Sequence, residues 1–266
     1  MTRAFVLGAG LGTRLRPLTL QLPKPLIPVH QRPLIEYAFA HLHGEGVREF
    51  IVNTHHLPEK YARAFPDRTW QGCPVTFRHE PILLETGGGL ANVQDLVAGE
   101  EPFFVYNGDV FTGLPLAPAM AQHRADGNLV TLVLRSRGPV RNVAMNVHDR
   151  RVLDVRNALG TNHPDQFQFT GLYIVEPAFF KYLPSAGAIE SVVTAWLRAI
   201  TAGERMGGII IDVACGWIWG IATAIWRPTG SFRATPACIR RPASPALRKL
   251  MRSAASAQTA KLGSVQ

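Results

Sequence analysis

Short apolar runs alternate with stretches of helical periodicity along the first half of the chain. Each apolar run is four to six residues long, which is typical of a buried strand. The predicted strands are 4–7, 48–53, 74–79 and 102–106. Between the first three of them, apolar residues recur at helical spacing over 33–44 and 57–65. This alternation predicts an α/β fold with a doubly wound, mostly parallel sheet.

The same pattern continues up to residue 212. Helices are predicted over 90–97 and 116–124, and a further helix is expected to open at Glu190. The later predicted strands are 129–135, 142–146, 152–155, 168–175 and a last one within 202–212. We therefore expect a single domain over 1–212, followed by an irregular tail over 213–266.

The segment 8–29 follows the first predicted strand and holds an unusual set of polar residues. Its glycines come at alternate positions: Gly8, Gly10 and Gly12. Glycine lets the backbone turn sharply and lets N–H groups come close to a ligand. Arg14 follows the loop, and Lys24 lies in a Pro-Lys-Pro sequence. N–H groups that hold phosphate oxygens, with two cations that neutralise phosphate charge, suit a nucleoside triphosphate.

Other interpretations of these glycines fit less well. In the dinucleotide-binding pattern G-x-G-x-x-G the third glycine would fall at Thr13. The pattern also needs an acidic residue after a second strand, and Glu36 does not meet this need because it lies in a predicted helix. The P-loop pattern fails because no Gly-Lys-Ser/Thr follows. A bare structural turn would need neither Arg14 nor Lys24. A nicotinamide-dependent oxidoreductase remains an alternative that a cofactor titration tests.

Two later segments add candidate chemistry. Gly87 to Gly89 in the string LETGGG precede a predicted helix. Glycines at this position either form a flexible helix start or make room for a flat ligand or an anion. Asp109 ends the string NGD directly after a predicted strand. It is either a turn residue or a ligand for Mg²⁺, which prefers one or two carboxylates together with phosphate oxygens.

Taken together, GAGLGTRLRPLT, PKPLIPV, LETGGG and NGD resemble the sugar-1-phosphate nucleotidyltransferase family. The resemblance implies the Rossmann-like nucleotide-diphospho-sugar transferase fold. It implies that a sugar 1-phosphate attacks the α-phosphate of a nucleoside triphosphate, which gives a nucleotide sugar and pyrophosphate. Mannose-1-phosphate guanylyltransferases are the nearest in resemblance, and N-acetylmuramate-1-phosphate uridylyltransferases come next because of LETGGG. The implied products are GDP-mannose first and UDP-N-acetylmuramate second.

The family's functional residues carry over to matching positions. The implied catalytic residues are Arg14, Lys24 and Asp109. The implied nucleotide-binding residues are Leu7, Gly8, Gly10, Gly12, Thr13, Gly87 and Gly88. The implied sugar-binding residues are Asn107, Gly171 and Glu190, although an acid such as Glu190 is also favoured in a first helical turn by the helix dipole. Asp109 would hold the cofactor Mg²⁺.

The resemblance breaks after Asp212. A string of the type W-x-D-x-G, whose aspartate is the family's second metal ligand, is absent there. Asp212 is the candidate to replace it, although a position in the preceding strand suits that role poorly. If the ligand is not replaced, the chain would be a nucleotide-binding protein without full activity.

A frameshift is one explanation of this break. Synonymous codons exist from Cys215 onward whose adjacent reading frame encodes WVDLGNRDRHLAANRE, which contains the missing motif. We hypothesise a shift between about residues 208 and 215, which the coding DNA would test. The other interpretation is a divergent, partly disordered extension rich in Ala, Ser, Arg and Lys.

Composition narrows the classes of protein. The net charge is +9, but 209–266 contains eight of the 28 basic residues and only one of the 19 acidic ones, so the charge belongs mainly to the tail. That tail lacks the aromatic–basic pattern of nucleic-acid binders, so we expect no nucleic-acid partner. We see neither a long apolar run nor a secretory signal, and the three cysteines lack metal-like spacing. We expect a cytoplasmic protein without a membrane partner; the oligomeric state is left open.

Overall fold

The computed structural model has the α/β architecture that the hydrophobic pattern indicates. It describes residues 3–29, 31–97, 99, 101–212 and, as backbone, 216–218. The helices are α1 (Leu34–Gly44), α2 (Pro58–Ala64), α3 (Glu85–Ala91), α4 (Gln94–Val97), α5 (Ala117–Asp126) and α6 (Val192–Thr201). Short 3-10 helices occupy Thr13–Leu15, Leu18–Leu20, Lys24–Leu26 and Pro177–Tyr182. Among these residues, no helix is both long and apolar enough to cross a membrane.

Fourteen strands accompany the helices in the described part of the chain. They are β1 (Arg3–Leu7), β2 (Pro28–Val29), β3 (Arg32–Pro33), β4 (Glu49–Thr54), β5 (Thr69–Trp70), β6 (Cys73–His79), β7 (Phe103–Asn107), β8 (Val110–Thr112), β9 (Val130–Arg135), β10 (Val143–Asn146), β11 (Arg151–Val155), β12 (Gln166–Val175), β13 (Met206–Ile210) and β14 (Gly216–Ile218). Ten of them form one sheet, in the order β10-β11-β13-β9-β12-β7-β1-β4-β6-β5.

This sheet is mixed, so the prediction of a mostly parallel sheet is wrong. The neighbours β7, β1, β4 and β6 are parallel, as are β9 and β13. β12 runs antiparallel to both β7 and β9, and β10 is antiparallel to β11 and β12. The pairing of β10 with β12 closes five strands into a ring. A short turn between β10 and β11 permits antiparallel pairing, whereas parallel neighbours need a long crossover.

Hydrophobic side chains cover both faces of the sheet, because successive residues of a strand point in opposite directions. In β4, Phe50 and Val52 belong to one core cluster and Ile51 to the other. Helices α1 and α2 pack on the first face through side chains such as Phe39 and Tyr61. Helices α3 and α6 pack on the second face. The doubly wound arrangement therefore rests on two separate apolar clusters.

The carboxyl ends of β1 and β7 lie side by side and define the functional edge of the sheet. Leu7 is the register partner of Asn107, and the Gly108 N–H donates to the Leu7 carbonyl at 2.9 Å. A Cβ on Gly108 would lie only 2.6 Å from that carbonyl oxygen, so a glycine is needed for this close approach. The two strands thus bring the glycine-rich loop and Asp109 to one place.

Three local expectations need correction or lie beyond the described residues. Gly87 to Gly89 are inside α3 rather than ahead of a helix. Glu190 lies outside α6, whose N-cap is Ser191; the Ser191 side chain accepts a bond from the Val193 N–H. Asp212 follows the end of β13 by two residues. The predicted boundary at 212 stays a prediction, and apart from the backbone pairing of β14 with β8 the tail lies outside the described residues.

Candidate active site

A cleft of about 520 Å³ opens at the carboxyl ends of β1 and β7. Seven residues predicted from the sequence line it: Leu7, Gly10, Gly12, Arg14, Lys24, Asn107 and Asp109. The other predicted residues are outside its lining: Gly8, Thr13, Gly87, Gly88, Gly171, Glu190 and Asp212. The structure therefore brings together the catalytic set and part of the nucleotide-binding set, which are far apart in sequence.

Gly8 anchors the start of the glycine-rich loop to the protein. Its N–H donates to Asn53 Oδ1 at 2.8 Å, and its carbonyl accepts a bond from the Tyr61 hydroxyl at 2.8 Å. A Cβ at this position would lie 2.7 Å from the Asn53 carbonyl oxygen. Both polar backbone groups of Gly8 are thus occupied by protein. Gly10 borders the cleft and has open space where a Cβ would be.

The conformation of the loop is fixed at Gly12. This residue has φ +60°, in the left-handed region that favours glycine. The Thr19 hydroxyl donates to the Gly12 carbonyl at 3.0 Å, and the Thr19 carbonyl lies 2.6 Å from His56 Nε2. Arg14 follows in a 3-10 helix, and within the described part of the chain its guanidinium makes no hydrogen bond or ion pair. A fixed loop therefore carries a free cation into the cleft.

Lys24 and Asp109 form the central polar contact of the cleft. Lys24 Nζ donates to Asp109 Oδ2 at 2.5 Å. The Lys24 side chain is 11% exposed and the Asp109 side chain 29% exposed, so the pair is only partly in contact with solvent. Lys24 opens the buried 3-10 helix Lys24–Leu26 and lies between Pro23 and Pro25. The site thus holds a cation and a carboxylate in contact at the base of the glycine-rich loop.

The glycines of α3 permit a close backbone approach. The N–H groups of Gly87 and Gly88 donate to the Glu190 carbonyl at 2.8 and 3.0 Å. A Cβ on Gly88 would clash with the Ala188 carbonyl oxygen at 2.2 Å. The helix start borders the cleft through Glu85 and Thr86 instead. A nucleotide-binding role for Gly87 and Gly88 stays a prediction.

The residues predicted for the sugar occupy different positions. Asn107 lines the cleft, and Gly171 supports it: at φ +88°, a Cβ there would lie 3.0 Å from Asn107 Nδ2. Gly171 lies where the register of β12 against β9 shifts. The Glu190 carboxylate is engaged by the Arg198 guanidinium in a two-point ion pair. Sugar contacts by Gly171 and Glu190 stay predictions, and Glu190 would have to leave Arg198 to make one.

The two carboxylates predicted to bind a metal lie in different surroundings. Asp109 faces the cleft, whereas Asp212 accepts bonds from the Ser136 N–H at 3.0 Å and the Ser136 hydroxyl at 2.5 Å. Over the described ranges, no group of three or more His, Cys, Asp or Glu residues could hold a metal. A second metal role for Asp212 stays a prediction, and its carboxylate would first have to leave Ser136.

A buried histidine supports the strand that ends at Asn107, two residues before Asp109. His41 Nε2 donates to the Leu114 carbonyl at 2.7 Å, and its Nδ1 lies 3.2 Å from the Tyr106 hydroxyl. Burial lowers the pKa of His41 to about 4, so the ring is neutral at pH 7. Burial, and then the negative charge of Asp109, raises the pKa of Tyr106.

Sequence reasoning missed one wall of the cleft. The aromatic residues Phe169, Tyr173 and Trp196 form this wall, and Arg156 is a further lining residue that the sequence did not indicate. The three aromatic rings pack edge-on or tilted against one another, with centroids 5.2 to 6.0 Å apart. Aromatic residues at these spacings in the sequence are typical of core packing, so only the fold identifies them as part of the cleft.

The comparisons with known proteins agree with this geometry. The nucleotidyl transferase family model matches residues 3–218, which is most of the chain. The chain belongs to the sugar-1-phosphate nucleotidyltransferase family.

Two curated relatives carry names within this family. A UTP–glucose-1-phosphate uridylyltransferase of Synechocystis sp. is 30% identical over 203 residues, which are 69% of this chain and 51% of the relative. A mannose-1-phosphate guanylyltransferase of Mycobacterium tuberculosis is 29% identical over 229 residues, 86% of this chain and 61% of the relative. The chain therefore spans about half to three-fifths of the length of these relatives.

Solved structures share the fold. HddC from Yersinia pseudotuberculosis, in a complex with GMP-PN, has a TM-score of 0.68 at 20% identity and covers 83% of this chain and 95% of its own. A UDP-glucose pyrophosphorylase in complex with UDP-glucose has a TM-score of 0.66 at 17% identity, with 84% and 94% covered. At these identities the likeness establishes the architecture alone.

Proposed function

We propose that this chain transfers a nucleotidyl group from a nucleoside triphosphate to a sugar 1-phosphate. A phosphate oxygen of the sugar 1-phosphate forms a bond to the α-phosphorus, and the bond from that phosphorus to the bridging oxygen of the β-phosphate breaks. Pyrophosphate leaves and a nucleotide sugar remains. The contact between Lys24 and Asp109, inside a cleft bordered by the glycine-rich loop, is the observation that carries this proposal.

Positioning and charge neutralisation supply the catalysis in this proposal. N–H groups of the glycine-rich loop bind the triphosphate together with the Arg14 guanidinium. This guanidinium is available because it has no protein partner in the described part of the chain. Lys24 stabilises the charge that develops on the α-phosphate and the leaving group. The attacking oxygen is already anionic, so no covalent enzyme intermediate is needed.

The residues present fit a magnesium ion held jointly with substrate. Asp109 offers a carboxylate to the cleft, and Mg²⁺ is commonly bound by one or two carboxylates plus substrate phosphates. When bound, Mg²⁺ would neutralise phosphate charge as a Lewis acid. Asp109 would hold it, and Asp212 is the second candidate.

For the substrates, we propose GTP with mannose 1-phosphate first, giving GDP-mannose, and a uridylyl transfer second. The guanylyltransferase name of the relative from M. tuberculosis supports the first, and the uridylyltransferase name of the relative from Synechocystis supports the second class. UDP-N-acetylmuramate is the particular uridine product that the LETGGG string favours. We propose a cytoplasmic setting, no nucleic-acid or membrane partner, and biosynthesis of a nucleotide sugar.

A catalytically impaired nucleotide-binding protein is the second candidate. The observation that favours it is the engagement of Asp212 with Ser136, together with the absence of W-x-D-x-G after it. In that case the chain binds nucleotide but releases no pyrophosphate under any metal.

A pyrophosphate-release assay separates the two. The purified chain is supplied with Mg²⁺, each of four nucleoside triphosphates, and mannose, glucose or N-acetylmuramate 1-phosphate. The transferase proposal predicts release that needs both substrates, and the best pair names the specificity. Nucleotide binding measured by calorimetry, without release for any pair, favours the impaired protein.

A further inference from the structure

We propose that Glu80 is a positioning residue whose negative charge holds two borders of the cleft in place relative to each other. These borders are the glycine-rich loop, which we assign to the triphosphate, and the start of α3. The inference rests on the proposed transferase function and adds a residue to which the sequence motifs gave no role. Glu80 follows the end of β6 at His79 and is outside the cleft lining, so it acts through other residues.

A chain of three hydrogen bonds joins the glycine-rich loop to α3. The Gly8 N–H donates to Asn53 Oδ1 at 2.8 Å. The Asn53 Nδ2 group donates to Glu80 Oε1 at 2.7 Å. The Leu84 N–H donates to the other carboxylate oxygen, Glu80 Oε2, at 3.1 Å, and Leu84 is the N-cap residue of α3. One pair of side chains thus connects two segments that are far apart in the sequence.

The direction of these bonds requires one negative charge in the pair. Both ends of the chain are backbone N–H groups, which can only donate. The Asn53 amide accepts at one end and donates at the other, so Glu80 has to accept at both of its oxygens. An ionised carboxylate can do this, whereas a glutamine amide has one acceptor oxygen and one NH₂ donor. Glutamine at this position, although similar in shape, would therefore leave two donors facing each other.

The pair is sealed from solvent. Glu80 is 0% exposed and Asn53 is 1% exposed. Helix α3 covers both at Gly89, where a Cβ would lie 2.8 Å from Asn53 Nδ2 and 2.9 Å from Glu80 Oε1. Among the residues that the structure describes, no cation pairs with this carboxylate. A buried polar group that loses its partner is costly, because water cannot replace the lost bond here.

The backbone of Glu80 is fixed to the end of β4. Its N–H donates to the Thr54 carbonyl at 2.7 Å, and its carbonyl lies 2.8 Å from His55 Nδ1. Strand β4 also carries Asn53 and pairs in parallel with both β1 and β6. The carboxylate is therefore presented by a rigid part of the sheet, from which the loop and the helix take their positions.

The bonded groups lead directly into the cleft. Asn53 borders the cleft itself, Gly10 borders it two residues after Gly8, and Thr86 borders it two residues after Leu84. Without the charge on Glu80, both segments would be free to shift against each other. A well-packed apolar core is often as stable as one with a buried charge, so the charge points to positioning rather than to stability. We expect its loss to weaken nucleotide binding above all.

The test exchanges the two side chains of the pair. Glu80→Gln adds a donor to the chain, and Asn53→Asp alone adds a second carboxylate. In the double variant, the introduced aspartate accepts both from the Gly8 N–H and from the NH₂ of the introduced glutamine. The glutamine oxygen then accepts from the Leu84 N–H. The double variant therefore keeps the number of charges and reverses only the middle bond.

Nucleotide binding is measured by calorimetry with GTP and with UTP, in the presence of Mg²⁺. We expect the Kd to rise about 10- to 100-fold in Glu80→Gln and to return to within about threefold of the wild type in the double variant. In kinetic assays, the KM for the nucleotide should follow the Kd, while the KM for the sugar 1-phosphate stays within about twofold of the wild type.

Thr131→Val is the control for a general loss of stability. The Thr131 hydroxyl is buried, accepts a bond from Asn128 Nδ2 at 3.0 Å, and lies outside the cleft lining. This variant should lower the urea midpoint and leave the nucleotide Kd unchanged. A rise in its Kd equal to that of Glu80→Gln would assign the effect to stability and overturn the proposal.

The double variant decides the assignment. A wild-type Kd in Glu80→Gln overturns it, as does a double variant that fails to fold or binds nucleotide no better than Glu80→Gln. If Glu80→Gln itself does not fold, a folded double variant with a Kd near that of the wild type still supports the proposal. Rescue of binding without turnover in any chain supports the positioning role and rejects only the transferase. A wild-type chain that binds neither GTP nor UTP overturns both proposals.

Discussion

The Lys24 ammonium lies 2.5 Å from the Asp109 carboxylate, although 85 positions separate the two residues in the chain. Parallel pairing of β1 with β7 creates this contact, because it places the segments that follow both strands at one edge of the sheet. The pair joins the glycine-rich loop to the aspartate that we propose as the metal ligand. In the protein without substrate, the Lys24 ammonium and the Asp109 carboxylate therefore neutralise each other in a partly buried environment.

A double-mutant cycle on Lys24→Met and Asp109→Asn tests this compensation. Each single variant leaves a partly buried charge without its partner, whereas the double variant removes both. We expect a coupling free energy of unfolding of about 1 to 3 kcal/mol, measured by urea denaturation. The exposed pair Arg78 and Asp95, also at 2.5 Å, is the control and should couple clearly more weakly. If the changes in the free energy of unfolding caused by Lys24→Met and Asp109→Asn simply add in the double variant, the account is contradicted.

Substitution at Gly12 should damage the loop through its geometry. Gly12→Ala places a Cβ 2.8 Å from the Thr19 methyl group at φ +60°. We expect a loss of about 1 to 3 kcal/mol in the free energy of unfolding and a weaker nucleotide Kd in calorimetry. Gly99→Ala is the control, since a Cβ there meets no atom within 4 Å among the described residues. Wild-type values for both quantities in Gly12→Ala would show that the loop tolerates a side chain.

The Tyr173 hydroxyl should serve a ligand rather than the fold. Tyr173→Phe removes a buried group that has no partner in the described part of the chain. We expect the free energy of unfolding to stay within about 0.5 kcal/mol or to rise, while the KM for the sugar 1-phosphate rises about 3- to 10-fold.

Tyr37→Phe is the matched control, because the Tyr37 hydroxyl donates to the Val29 carbonyl at 2.7 Å. It should destabilise the protein by about 1 to 2 kcal/mol and leave the KM unchanged. If Tyr173→Phe behaves in the same way, the hydroxyl is structural.

Acid should destabilise the protein through His41. Its pKa is about 4 in the folded state against 6.5 for an ordinary histidine, so the unfolded chain binds the proton first. The stability is therefore complete above about pH 6.5 and falls as the pH drops toward 4. From pH 7.5 to 5.0 this one group accounts for a loss of about 2 kcal/mol.

The variant His41→Gln tests the assignment. Urea denaturation at both pH values should give a smaller acid loss for His41→Gln than for the wild type. The exposed His148→Gln should keep the wild-type loss. An equal acid loss in His41→Gln and the wild type would assign the effect to other groups.

The sequence predicted the strands and helices of the first half of the chain well, because they are local patterns. The apolar run at 4–7 and the helix between Pro33 and Gly44 are confirmed within one residue. Strand direction is a different kind of property: the run that became β12 reads as a buried strand in either orientation. Its antiparallel pairing with β7 and β9 therefore depends on long-range packing that periodicity does not encode.

The candidate site divides in the same way. Arg14, Lys24 and Asp109 could be predicted because they follow a glycine-rich loop or the end of an apolar strand. All three line the cleft. Arg156 and Trp196 were missed because one sits in an unremarkable turn and the other in an apolar helical pattern. Glycines 87 to 89 were placed before a helix because glycine weakens helices, whereas the close approach of the 188–190 backbone requires small residues within it.

The measurement that tests the central claim most directly is the product balance of the full chain and of Asp109→Asn. With the best substrate pair and Mg²⁺, mass spectrometry quantifies nucleotide sugar and pyrophosphate over time. The account predicts equal amounts of both from the wild type, and a rate at least about 100-fold lower for the folded Asp109→Asn chain. Pyrophosphate without nucleotide sugar, or an undiminished rate in Asp109→Asn, would contradict it.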